Sequence, residues 1–198
     1  MGTAPGGRAG RHVQRLLRRT EQAYSVGHER PLGGYLATLA GFGAYTGAWA
    51  AVVRHRGRPL PDRPDPWDVA LAAVATFRLS RLLSKAPVTS PLRAPFTTYA
   101  GAQGPAELHE TPRTEGSRET VGELVSCPFC MSVWIVSTLT AGQLLWPRAT
   151  RTAMGALTAL AGADALQLAY SRVADRVTDT AAETAADKAT TGSDVIGG

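Results

Sequence analysis

Apolar stretches alternate with charged or proline-rich ones along this chain, and the alternation predicts its elements. No charged residue occurs from Pro31 to Val53, and none from Leu124 to Pro147. The first stretch, 33–53 (GGYLATLAGFGAYTGAWAAVV), has the roughly 20 residues that a bilayer-spanning helix requires. Small residues at Gly33, Ala37 and Gly41, and again at Gly43 and Gly47, stand four apart, a spacing that lets membrane helices approach closely. Each glycine would weaken a soluble helix by about 1 kcal/mol relative to alanine. In lipid that loss matters less, because unpaired backbone groups are prohibitive there and enforce the helix.

A loop rich in Pro and Arg, Arg54 to Asp65, follows, and Pro66 sits just inside a new helix start. A second span is expected over 67–84. Its charge-free part is short, so Arg78 and Arg81 must reach toward an interface. Pro87 and Pro91 end it. The next apolar stretch gives a third span over 125–146, with Trp146 placed as an interfacial anchor. Pro147 and Arg148 break it, and a fourth span follows over 151–171, interrupted only by Asp164. So short a break predicts an antiparallel helical hairpin.

Residues 85–123 contain five prolines and many Glu and Thr without a persistent period, and read as a long loop. Its carboxylates from Glu107 to Glu123 read as a solvated surface. Residues 1–30 form a basic polar tail. Residues 175–198, rich in Ala, Thr and Asp without an apolar face, read as a disordered tail. The expected fold is an all-α integral membrane helical bundle of four transmembrane helices, with the membrane domain at 31–174.

Charge then sets orientation and partners. The 198 residues carry 21 Lys and Arg against 16 Asp and Glu, a net charge of +5. Six arginines precede the first span: Arg8, Arg11, Arg15, Arg18, Arg19 and Arg30. Basic residues beside a span belong on the cytoplasmic side, where anionic lipid attracts them. Four spans put both termini on one side, which collects thirteen basic residues against six. The expected location is a cytoplasmic membrane, multi-pass, with both termini in the cytoplasm. The expected partners are the lipid bilayer, anionic lipid through the N-terminal arginines, and proteins that the sequence does not identify. No nucleic-acid motif accompanies the arginines, so nucleic acid is not expected as a partner. About thirty polar residues precede the first apolar stretch, unlike the start of a secretory signal.

Two constellations carry candidate chemistry. Cys127 and Cys130, in Cys-Pro-Phe-Cys, stand at the start of the third span with both sulfurs on one face. Three readings stay open: a dithiol that cycles with a disulfide, two ligands of a zinc ion completed by a second copy, or small packing residues. Zinc is the only cofactor the sequence raises. The second constellation is Arg78, Arg81 and Asp164, charges inside spans, which normally face protein, water or each other. An Arg–Asp pair between the second and fourth spans would remove much of the penalty. The alternatives for it are a polar pathway or anion site, and a structural bridge. No HExxH, phosphate-binding loop or GxSxG is present, and no catalytic set emerges.

The run ATFRLSRLLSKAPVTSPLRAPF (75–96), followed after an acidic loop by GELVSCPFCMSVWIV (122–136), resembles an uncharacterised bacterial membrane family, domain of unknown function 1360, which includes a sporulation protein. Arg78 and Arg81 fit its FRLxRL element. Pro91, Arg93, Pro95 and Phe96 fit its PxRxPF element, and Cys127, Cys130 and Trp134 its ELxxCPxCxxxW element. The resemblance implies a small integral membrane protein and supplies no activity. The function expected is a non-enzymatic scaffold or assembly factor of the cell envelope. The alternatives are a membrane thiol-disulfide oxidoreductase using the CPFC pair and a zinc-bridged dimer.

Overall fold

The computed structural model describes residues 32–114 and 117–194; the basic tail of 1–30, with its six arginines, lies outside them. These residues are mostly helical, with one small antiparallel sheet among them. Helix α1 is Leu32–His55 and α2 is Pro66–Lys85. A 3-10 turn, Pro87–Thr89, leads into the short α3, Ser90–Arg93, then strands β1 (Thr97–Gly104) and β2 (Glu107–Pro112). Helices α4 (Ser117–Ser126), α5 (Pro128–Leu145) and α6 (Pro147–Asp194) complete the order.

Helix boundaries follow from local chemistry. Asp65 caps α2, accepting a hydrogen bond from the Trp67 N–H at 2.8 Å, and Pro66 takes the first position, where no N–H is missed. Pro87 follows the end of α2 at Ala86. Pro128 opens α5 behind Cys127, whose sulfur accepts from the Cys130 N–H at 3.3 Å. At the far end of α1, Gly57 adopts φ +61°, with hydrogen bonds from its own N–H to Arg54 O and from Arg58 N–H to Val53 O. Those two bonds define a Schellman motif, in which a left-handed glycine satisfies the last carbonyls and turns the chain back.

The core lies among α2, α5 and α6. Leu71 and Ala75 meet Ile135, Leu139 and Met154, with Ala72, Leu79, Met131 and Leu157 packed around them. Thr76, Ser80 and Ser84 are buried at four-residue intervals on α2, small enough for close helix packing. Helix α1 leans on α5 through aromatic rings: Trp134 meets Phe42 edge-on at 5.2 Å and Tyr45 at 5.1 Å. Thr138 Oγ1 donates to Trp134 O, which leaves the Tyr45 hydroxyl to donate to Thr138 Oγ1 at 2.6 Å. Helices α1 and α5 are each long and apolar enough to cross a membrane. Most of the α1 surface is exposed, including Leu36 and Leu39.

Four expectations need correction. The chain is not all-α, and the stretch of 85–123 is not one long loop. It holds the 3-10 turn, α3, the β-hairpin and most of α4. The strands are short and interrupted by irregularities between Tyr99 and Gly101 and between Ala102 and Gly104, so alternation is broken. Gly101 and Gly104, at φ +145° and +150°, make those breaks possible. The third apolar stretch is two helices, because Pro128 breaks it and its first residues belong to α4. Finally, α6 runs unbroken to Asp194, through most of the segment expected to be disordered. Between Tyr170 and Thr191 there is neither Gly nor Pro, and alanine is frequent, so helix propensity carries it on.

Candidate functional site

The segment between α2 and α5 folds into a polar cap on one end of the helices, organised around a buried arginine. A helix ends with carbonyls that have no partner within it. Here Thr89 and Arg93 supply the donors. The Thr89 hydroxyl lies 2.6 Å from Leu82 O, and the guanidinium of Arg93 donates through Nη1 to Leu83 O at 2.7 Å and through Nη2 to Ala86 O at 3.1 Å. Placing a cation on helix carbonyls also suits the negative end of the helix dipole.

The charge is balanced from β2. Glu110 accepts from Arg93 Nε at 2.7 Å and Nη2 at 2.9 Å, a two-point contact that only a planar guanidinium can make. Ser90 donates to Glu110 Oε1 at 2.5 Å, and the Thr97 hydroxyl lies 3.0 Å from Oε2. Arg93 is 1% exposed and Glu110 6%. Burial alone would push the Glu110 carboxyl up. The hydrogen bonds from Arg93, Ser90 and Thr97, with the Arg93 charge, outweigh it and hold the group below its ordinary value of 4.5.

The cap is tied to the helices at further points. Arg81 binds Glu107 through both Nε (2.8 Å) and Nη2 (2.6 Å). The Tyr35 hydroxyl of α1 donates to Glu123 Oε2 at 2.6 Å. Gly34 and Gly122 allow the close approaches: a Cβ on Gly34 would stand 2.0 Å from Thr120 Oγ1, and one on Gly122 would stand 2.5 Å from Phe96 O. The carboxylates from Glu107 to Glu123 are therefore not a solvated surface, since Glu107, Glu110 and Glu123 each hold a cap contact.

The residues singled out in the sequence fall into separate places. Arg78 meets Asp164 of α6, Nε to Oδ2, at 2.6 Å. That Nε makes no directed hydrogen bond, so the contact is a charge pair approached off the N–H direction. Arg81 turns instead to the cap. Pro91 lies in the first turn of α3, and Phe96 closes the hairpin base, its carbonyl accepting from Arg113 N–H at 2.9 Å. Pro95 is exposed beside it. Trp134 sits between α1 and α5. Cys127 and Cys130 are both free thiols, half-buried and exposed respectively. Among the described residues no group of three His, Cys, Asp or Glu converges as a metal site would require. Sequence reasoning missed Glu110, Thr89 and Thr97. A fully buried arginine needs a carboxylate, and Glu110 is available on a stretch whose turn signal is the Gly104–Pro105 step.

A mostly helical chain with two apolar helices of membrane-crossing length and a small polar cap defines the class. Residues 71–170 match the family described as protein of unknown function (DUF1360), and the chain belongs to that family. It is also similar to sporulation protein YjcA of Bacillus subtilis (strain 168), 34% identical over 86 residues that take in 42% of this chain and 73% of that protein. No solved structure matches this chain. The matched region contains both the Arg93–Glu110 clamp and the Arg78–Asp164 pair, while α1 lies outside it.

Proposed function

We propose that this is an integral protein of the bacterial cytoplasmic membrane with four spans, acting as a scaffold or assembly factor of the cell envelope rather than as an enzyme. The observation that carries the reading is the Arg78–Asp164 pair. Charges within spans are expensive unless they face one another, and this contact neutralises the two across α2 and α6. Around it the same helices expose Trp67, Val69, Phe77, Leu166 and Leu168, side chains that lipid accommodates better than water. With α1 and α5, that makes four helices whose ends alternate. Both termini and the cap then share the side richer in basic residues, which is the cytoplasmic side.

The most elaborate polar site supports a structural role. Arg93 and Glu110 spend their hydrogen-bonding capacity on each other and on the protein, and offer nothing to a substrate. The sporulation protein among the relatives points toward envelope processes of that kind. Washing membranes with alkaline carbonate tests integration: the protein should stay with the pellet until detergent is added, and release by carbonate alone would sink the proposal. The non-enzymatic part is tested by a Cys127→Ser, Cys130→Ser double variant, which should retain cellular function.

A further inference from the structure

On the side of the molecule away from the cap, a cavity of about 600 Å³ lies between α1 and α5. That volume lies within the roughly 300–1,000 Å³ typical of small-molecule sites. Its walls are Trp49, Ala50 and Val53 of α1 and Val136 and Ala141 of α5, with Leu60 of the following loop at its edge. Three hydroxyls also line it, but each is already committed to its own helix. Thr46 bonds Phe42 O at 3.0 Å, Ser137 bonds Val133 O at 2.8 Å, and Thr140 bonds Val136 O at 2.8 Å. The walls are therefore apolar in effect as well as in composition.

One end differs. Arg54 and Arg58 line it, and among the described residues neither side chain makes an ion pair or hydrogen bond. No acidic residue shares the lining. The Schellman turn at Gly57 produces this arrangement, because it folds the chain back so that Arg58 and Leu60 return to the groove that Arg54 has just left. Arg56, between them, is directed elsewhere and lies 5.9 Å over the Trp146 ring. A hydrophobic trough ending in two unneutralised guanidinium groups complements one kind of bilayer molecule. Its acyl chain would follow the trough, and its phosphate would accept from the arginines.

We propose that the groove between α1 and α5 binds an anionic phospholipid, with Arg54 and Arg58 holding the phosphate and Trp49, Ala50 and Val136 flanking an acyl chain. The inference rests on the membrane reading above, and the test separates the two. The full-length protein is purified in detergent, supplied with phosphatidylglycerol, phosphatidylcholine or glycerol 3-phosphate, and examined by native mass spectrometry. Phosphatidylglycerol should be retained in preference to the other two. Retention should fall roughly thirtyfold in the Arg54→Gln, Arg58→Gln double variant, a loss on the scale of two basic contacts to anionic lipid. An Ala50→Phe variant, which fills the trough and leaves the charges, should lose retention as well. Arg56→Gln removes the same charge from the same loop and should leave retention unchanged.

Equal retention of the two lipids, equal loss on Arg56→Gln, or full retention by the double variant would overturn the proposal. Glycerol 3-phosphate held as well as the lipid would do so too, since the trough would then contribute nothing. A protein dimer that disappears in Ala50→Phe, in place of a lipid adduct, would assign the groove to a second copy instead. Carbonate washing of membranes that hold the same variants reports separately on integration, so release there overturns the membrane reading and leaves lipid retention to decide the groove.

Discussion

Arg93 and Glu110 meet in a two-point contact, 2.7 and 2.9 Å, with their side chains only 2% and 4% exposed. The pair joins the end of α2 to the second strand and thereby holds the whole cap on the helices. Breaking a buried pair by removing one partner leaves an uncompensated charge and costs about 3–5 kcal/mol. Glu110→Gln and Arg93→Met should each cause a loss of that size in thermal unfolding of the detergent-solubilised protein. The Arg93→Met, Glu110→Gln double variant should lose less than the two single losses added together, because no charge is left stranded. Additive losses would mean that the two groups do not interact.

The same pair predicts a pH dependence. The Glu110 carboxyl is held below its ordinary value of 4.5 in the folded protein, so folding favours its charged form. Its contribution is fully present above that ordinary value and is lost as pH falls through the lower folded value. Unfolding temperature should thus hold level from neutral pH to about 5 as far as this group is concerned. Below that it should decline, and the decline should be shallower in Glu110→Gln. Parallel declines in both proteins would assign the acid sensitivity to other carboxylates.

The hairpin turn stores a small strain. Pro105 fixes its own φ, so the left-handed step falls on Ala106, at φ +58°. A non-glycine residue there costs about 1–2 kcal/mol, partly offset in any glycine replacement by the greater entropy of the unfolded chain. Ala106→Gly should therefore stabilise the protein by up to about 1 kcal/mol. A destabilised variant would contradict the turn geometry.

The Arg78–Asp164 pair is less buried than the clamp, with side chains 19% and 38% exposed. Asp164→Asn should cost about 2–3 kcal/mol, because it strands the Arg78 charge inside a span. Exchanging the two residues, Arg78→Asp with Asp164→Arg, should recover part of that loss. No recovery would show that the contact is incidental.

Cys127 serves α5 through its sulfur, which accepts from the Cys130 N–H. A serine hydroxyl is a better cap than a thiol. Cys127→Ser should therefore unfold within about 0.5 kcal/mol of the natural protein, whereas Cys127→Ala should lose about 1 kcal/mol. Both thiols should react with a maleimide without prior reduction in the freshly isolated protein. A pair that reacts only after reduction would revive the redox reading.

What the sequence disclosed and what it hid divide along physical lines. Helix starts at Pro66 and Pro128 are written in single residues, because proline's fixed φ and absent N–H act locally, whereas Pro147, expected only to break the third span, itself opens α6. The meeting of Arg78 with Asp164 follows from the expense of a charge in a span, which limits the possible partners. The cap was hidden because its strands are bulged at glycines and never alternate cleanly. Its clamp depends on a contact between residues 17 apart across a turn. The PxRxPF element pointed at Arg93, but only packing could select Glu110 among the nearby carboxylates. The reach of α6 beyond Tyr170 was equally hidden, since a polar, alanine-rich stretch suits a solvated helix and a disordered tail alike.

The proposed topology puts the polar cap and the loop after α1 on opposite faces of a membrane. In a background of Cys127→Ser and Cys130→Ser, single cysteines can be placed by Ala102→Cys in the exposed hairpin or Arg63→Cys in the exposed loop. Intact bacterial spheroplasts are then treated with a maleimide that cannot cross membranes. The Arg63→Cys protein should be labelled from outside and the Ala102→Cys protein only after lysis. Equal labelling of the two before lysis, or labelling of neither, would contradict that topology.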